Sequence, residues 1–268
     1  MRHIYFFLFS LFPYTILAKD PYPKNPNIDI LNYKFEIHLN DTSDIIYGSA
    51  DIALNIKDSE DRVRLDLISQ GKDGKGMEVK KVTFNGSEVS YSHDNDVLLI
   101  ETGAFEYSSR DIINVVYSGM PITGLIIGPN MYGDRTFFSD NWPNRARHWL
   151  ALIDHPSDKA KCEFLVTAPD HYQVISNGLK IEETHLEGDK LLTHWKQSVP
   201  IAPWLYVLGV AEFAIQYFDE FKGKSLQTWV FKQDRDAGFY DYSYPTKDAL
   251  EFYENNIGPF SYEKLIVL

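Results

Sequence analysis

The sequence predicts a mainly β protein: a multi-strand antiparallel β-sandwich domain over residues 19–218, then the opening strand and helix of an α/β domain over residues 219–268. Three observations predict this. Apolar and polar residues alternate with period two in segment after segment as far as Phe231. Aromatic residues make up 15% of the chain, with 17 Tyr, 17 Phe and 5 Trp, which suits pleated, half-buried surfaces rather than disorder. The period becomes helical only beyond Pro245.

The elements follow in order. Tyr33, Phe35, Ile37 and Leu39 face one way, with Lys34, Glu36 and His38 the other. Ile46, Gly48, Ala50, Ile52, Leu54 and Ile56 repeat the pattern, and the polar run from Asp41 to Asp44 makes the two a long hairpin. Further strands are expected over residues 62–68, 79–84, 89–92, 97–101 and 111–117. Asn85-Gly86 supplies a tight turn, because both positions tolerate positive φ. Strands over 161–167 and 172–176 lead to a turn at Asn177-Gly178, and strands over 190–196 and 206–213 come after it. The charged run 219–224 reads as a junction, followed by a strand over 225–231. A helix is expected from Pro245, with Ala249, Leu250, Phe252, Tyr253 and Ile257 on one stripe and Gly258-Pro259 ending it. Residues 264–268 begin a new apolar strand. A β-α-β pattern stopping there suggests a second domain of which only the opening is present.

Residues 1–18 have the layout of a secretory signal peptide: basic Arg2, an apolar run over 4–17, and small Ala18 as the cleavage point. That run is shorter than the roughly 20 residues a membrane-spanning helix needs, and Pro13 interrupts it. Export to the periplasm or the extracellular space is therefore expected, with no transmembrane segment after cleavage. The remaining chain of about 250 residues suffices for one large or two smaller cores. A net charge of −12 without clustered Lys and Arg argues against nucleic acid. The single Cys162 has no internal disulfide partner and sits in an apolar alternation, so it reads as a small buried residue rather than a nucleophile.

Chemical motifs are mostly missing. A zinc peptidase helix needs two His one turn apart with a Glu to act as base, and none of the 8 histidines meets that spacing. The nearest pairs, His148 with His155 and His185 with His194, read as surface or strand histidines. No Gly-x-Ser-x-Gly elbow occurs. Gly71, Gly74 and Gly76 lack a strand-to-helix context and read as a flexible loop. Asp94 with Asp96, and Glu182 with Glu183, are carboxylate pairs of the kind chance supplies in an acidic chain.

One stretch is more constrained. Asn144-Arg145-Ala146-Arg147-His148-Trp149, followed by Ile153-Asp154-His155-Pro156-Ser157-Asp158-Lys159-Ala160, resembles the signature of the aminopeptidase N family of zinc metallopeptidases. The usual form there is Glu-Pro-x-x-Ala-Arg, then Pro-Cys-x-Asp-Glu-Pro-x-x-Lys-Ala. Landmarks fall in the family's order: Gly119 to Gly124-Leu125 as its Gly-x-x-x-x-Gly-Leu turn, Ser176-Asn177-Gly178 as its hairpin, and Pro200 to Glu212-Phe213 as its strand ending in Gly-Asp-Phe.

The resemblance implies a saddle-shaped N-terminal β domain, then the start of a thermolysin-like catalytic domain truncated at Leu268. It implies a zinc aminopeptidase acting on peptides, with zinc held in the full-length parent by a His-Glu-x-x-His helix beyond this chain. The fragment itself would bind no metal and be inactive. The family's loop that holds the substrate's α-amine aligns with Asp140 and Trp142. Asp140 can pair with an ammonium or simply cap a turn, and Trp142 replaces an acceptor by an aromatic face. Arg147 and Asp154 are expected to pin the loop through an ion pair or backbone hydrogen bonds, with Trp142 and Trp149 packed beside them. Two other readings stay open: a complete, non-catalytic β-sandwich module that binds a peptide or protein partner, and a carbohydrate-active β protein.

Overall fold

A computed structural model describes residues 20–57, 60–103 and 105–268. The expected leader lies outside the described residues. The strands are β1 (Ile28–His38), β2 (Ile46–Ile56), β3 (Arg62–Asp66), β4 (Gly76–Phe84), β5 (Ser87–Glu88), β6 (Tyr91–Asp94), β7 (Val97–Glu101), β8 (Asp111–Met120) and β9 (Leu125–Pro129). They continue with β10 (Arg135–Ser139), β11 (Ala160–Pro169), β12 (Gln173–Ser176), β13 (Leu179–Leu186), β14 (Lys190–Ile201), β15 (Leu208–Ala211), β16 (Phe213–Phe221) and β17 (Lys224–Phe231). Helix α1 (Arg235–Asn256) precedes β18 (Lys264–Val267).

The long hairpin forms because one face of each strand is apolar. Tyr33, Phe35 and Ile37 of β1 are fully buried, and Phe35 and Ile37 pair with Ala50 and Gly48 of β2. Gly48 is required there, since an added Cβ would lie 2.4 Å from the Tyr117 ring of β8. The two strands enter an eight-stranded sheet of order β13-β14-β11-β1-β2-β8-β4-β5. It is antiparallel except between β1 and β11, which run parallel from Asn32 opposite Lys161 to His38 opposite Thr167. Strands so far apart in sequence have no hairpin to impose opposite directions.

Smaller sheets complete the architecture: β12-β15-β10-β9, β3-β7-β6 and β16-β17-β18. One continuous core joins all of them, from Val63, Leu98 and Ile113 through Phe35, Phe164 and Trp149 to Phe137, Val210 and Trp229. Phe35 meets Phe164 at 5.3 Å between ring centroids, and Phe164 meets Trp149 at 6.0 Å. Burying each such ring contributes about 1.5–3 kcal/mol. A separate small cluster of Phe221, Leu226 and Leu250 seats α1.

Several expectations are corrected. Helix α1 begins at Arg235, so Pro245 lies inside it. The first turns carry Gly238 and alternating aromatic and polar residues, which hide the helical period. Of the expected stripe, Leu250 is buried, whereas Phe252, Tyr253 and Ile257 are exposed. Residues 219–224, read as a junction, close β16 and turn into β17 with Lys222 and Gly223 at positive φ. The expected boundary at 218 therefore falls within a strand. The hairpin β9–β10 and the ribbon strand β13 were not anticipated.

Candidate functional site

The motif stretch begins where β10 ends. Ser139 Oγ accepts from the Leu208 amide at 2.8 Å, which holds the end of β10 against β15. The Asp140 amide donates to the Gly124 carbonyl at 2.7 Å. Gly124 has φ of +79°, and a Cβ there would sit 2.1 Å from the Arg145 carbonyl oxygen, so only glycine admits the loop this closely.

Asn141 organises the turn from beneath. It is 3% exposed; its Nδ2 donates to the Tyr206 carbonyl at 2.7 Å, and its Oδ1 accepts from Trp149 Nε1 at 2.9 Å. Its own carbonyl accepts from the Arg145 amide at 2.9 Å. The chain then passes through a short 3-10 turn, Ala146–His148, into fully buried Trp149, Leu150, Ala151 and Leu152. Tyr117 Oη donates to the Trp149 carbonyl at 2.9 Å.

Asp140 and Trp142 stand at the rim of this locked turn. Arg145 Nη1 donates to Asp140 Oδ2 at 2.6 Å, with both side chains partly exposed. Trp142 is 64% exposed. Trp149 is instead fully buried, with its ring on Phe164. An apolar cavity of about 640 Å³ is bounded by Phe138 of β10, Phe213, Trp229 and Phe231, with Asp234 and Tyr242 of the following segment.

Arg147 and Asp154 meet. The Arg147 amide and Nε both reach Asp154 Oδ2 at 3.1 Å, and Nη2 donates to the Asp154 carbonyl at 3.0 Å. Burial raises the Asp154 carboxyl above its ordinary range, and the Arg147 hydrogen bonds oppose that rise. Asp66 of β3 is a third member that sequence reasoning missed. It is completely buried; its Oδ2 accepts from the Asp154 amide at 2.9 Å and lies 3.7 Å from Arg147 Nη2. A backbone bridge between Asp66 and Leu152 fixes the register of the two segments. In the alternation Val63, Leu65, Leu67 the position of Asp66 falls on the polar side, so the sequence carries no signal of its burial.

The remaining candidates disperse. His148 is held toward its neutral form by burial and by the charge of Arg147. His194 contacts Glu163 at 3.0 Å on the outer face of the large sheet, where Lys196 also reaches that carboxylate. Asp96 sits in a turn and accepts from the Ser69 amide, while Glu183 pairs with Lys180 on β13. Burial pushes the Cys162 thiol well up, which keeps it un-ionised. Among the described residues no three His, Cys, Asp or Glu side chains converge as metal ligands, so these residues do not fit a zinc site.

Comparison with known proteins agrees with this architecture. The family model described as Peptidase M1 N-terminal domain matches residues 30–205. "Probable aminopeptidase 2" of Sulfurisphaera tokodaii is 26% identical over 187 residues, covering 67% of this chain and 22% of that protein. "Leucyl aminopeptidase" of Saccharolobus solfataricus is 23% identical over 204 residues, covering 75% of this chain and 24% of its own length. The chain thus spans under a quarter of these curated relatives. Among solved structures, the M1 zinc metallopeptidase from Deinococcus radiodurans superimposes with a TM-score of 0.76 at 20% identity, over 90% of this chain and 55% of that one. A substituted form of that enzyme bound to a Tyr-Ser-Ala substrate gives 0.75 at 20% identity, over 90% and 56%. Likeness at that identity concerns the fold.

Proposed function

The chain belongs to the Peptidase M1 N-terminal domain family, and from that premise we propose that it is the N-terminal β module of an exported zinc aminopeptidase, presenting Asp140 and Trp142 to the amino terminus of a peptide. The observation that carries this reading is the contrast within one loop. Asp140 and Trp142 are exposed at the rim, while Asn141 between them is buried and fully hydrogen bonded.

That contrast is what amine recognition needs. An ammonium is held best by a carboxylate whose position is fixed beforehand. Arg145 engages Asp140 Oδ2, leaving Oδ1 as the oxygen for a peptide ammonium, and the Trp142 ring offers a cation–π face beside it. An amide or acetylated terminus lacks the charge for either contact, so the preference is for free amino termini.

Zinc and the attack on the peptide bond belong, on this reading, to sequence outside residues 1–268, which contain no His-Glu-x-x-His run. These residues alone are inactive. Export rests on the leader-like layout of residues 1–18, with cleavage after Ala18. Sequencing the coding DNA downstream of the Leu268 codon tests the proposal. An open frame running into His-Glu-x-x-His supports it. A stop codon there defeats the catalytic reading and favours a binding module.

A further inference from the structure

The geometry points to Tyr22 as a positioning residue for the substrate loop: its hydroxyl, delivered by an N-terminal strap, completes the buried Asp66 site that fixes Arg147 and Asp154, and through them the Arg145–Asp140 pair. The functional part of this inference rests on the amine-binding reading; the mechanical part does not.

The strap comprises residues 20–26, which precede β1 and belong to no sheet. Pro21, Pro23 and Pro26 limit its conformations, and two local contacts shape it: Asp20 with Lys24 at 2.6 Å, and the Tyr22 amide with Asp20 Oδ1 at 3.0 Å. It is docked onto the motif loop. The Tyr22 ring stacks on His155 with centroids 4.6 Å apart, and His155 Nε2 lies 3.0 Å from Asp20 Oδ2. The Arg64 guanidinium sits 5.3 Å from the Tyr22 ring centroid.

The hydroxyl is the working end. It donates to Asp66 Oδ2 at 2.5 Å and accepts from Arg64 Nη1 at 3.1 Å. Burial and the adjacent Asp66 charge raise the Tyr22 phenol far above its ordinary value, so it stays protonated and remains a donor. Asp66 Oδ2 is the same oxygen that receives the Asp154 amide. One buried oxygen therefore ties a strap from the start of the chain to the second half of the motif.

Without that donor, Asp66 stays buried with Arg64 Nη2 2.7 Å from Oδ1, while Oδ2, the oxygen that loses Tyr22, is left to Arg147 Nη2 at 3.7 Å. Arg147 is also the main partner of Asp154, so any shift toward Asp66 slackens the Arg147–Asp154 contact. Arg145, which holds Asp140, is two residues before Arg147 on the same turn. Loss of a single oxygen at Tyr22 thus propagates to the rim of the loop. Its signature is local loosening with weaker amine binding.

Hydrogen–deuterium exchange on the full chain tests the mechanical part, comparing wild type with Tyr22→Phe, which keeps the ring stack. Tyr172→Phe is the control, because Tyr172 Oη makes a similar bond to Asp41 Oδ1 at 2.6 Å away from the motif. Tyr22→Phe is expected to speed exchange in peptides within 141–154 by about tenfold while leaving 46–56 unchanged. Tyr172→Phe should leave 141–154 as in wild type. No change within 141–154, or an equal rise across 46–56, overturns the inference. In the full-length enzyme, Tyr22→Phe is expected to raise KM for a free-amine dipeptide by about threefold or more at unchanged kcat. Faster exchange with unchanged KM overturns the positioning role. A wild-type product without peptidase activity indicts the aminopeptidase reading instead, and the exchange result still decides the strap.

Discussion

Trp149 donates its indole N–H to Asn141 Oδ1 at 2.9 Å, and both side chains are buried. This one bond ties the rim of the motif loop to the hydrophobic core, because Trp149 packs on Phe164 while Asn141 separates Asp140 from Trp142. Asn141 also holds the Tyr206 carbonyl at 2.7 Å, so the loop's shape depends on this buried amide.

Asn141→Ala strands the Trp149 N–H and the Tyr206 carbonyl in the core. The expected cost is about 2–4 kcal/mol of folding stability, against about 1–3 kcal/mol for Trp149→Phe, which strands only Asn141 Oδ1 and keeps part of the ring. Urea unfolding monitored by circular dichroism measures both. Equal, small losses in the two variants would show that the bond does not organise the loop.

Arg147→Ala leaves Asp154 buried without its cation, while Asp66 keeps Arg64 Nη2 at 2.7 Å. Removing one partner from a buried charged set costs about 3–5 kcal/mol, and Asp154 is almost wholly buried while Arg147 is only slightly exposed. Arg147→Lys keeps the charge but not the fork that reaches both Oδ2 and the carbonyl of Asp154. It is expected to fall between wild type and alanine in denaturant midpoint; full rescue by lysine would show that charge alone matters.

Asp158 makes stability depend on pH. Burial pushes its carboxyl up to about 7 from the ordinary 3.8, while the hydrogen bond from Tyr33 Oη at 2.9 Å opposes the shift. Between these values the folded chain binds more protons than the unfolded one, so this residue's contribution falls as pH rises from about 4 to about 7 and is level above that. Asp158→Asn keeps an acceptor for Tyr33 and removes the charge. The variant should match wild type near pH 4 and exceed it by on the order of 2 kcal/mol near pH 8. Thermal unfolding at the two pH values checks this, and a difference that is the same at both would refute the assignment to Asp158.

What could be read in the sequence follows from where burial acts. The hairpin β1–β2 was legible because Tyr33, Phe35 and Ile37 must all face the core, so any slip would expose them. Strand β13 is exposed along its whole length, so no face imposes a pattern on it. Helix α1 hides its start for a similar reason, since Leu250 is its main apolar anchor and Pro245 resembles a helix beginning. Within the site, the motif's Arg147 and Asp154 stood out through its resemblance to the aminopeptidase N signature. Asp66, Asn141 and Tyr22 did not, because each acts through partners remote in sequence that only the folded sheet brings together.

The most direct measurement is the steady-state kinetics of Asp140→Ala in the full-length product, with a free-amine dipeptide as substrate and a competitive inhibitor that lacks an amino group. If Asp140 holds the peptide's ammonium, KM for the dipeptide rises by about tenfold or more, while the inhibitor binds as it does to wild type. Unchanged KM, or an equal loss of affinity for both compounds, would contradict a role for this loop in recognising the amino terminus.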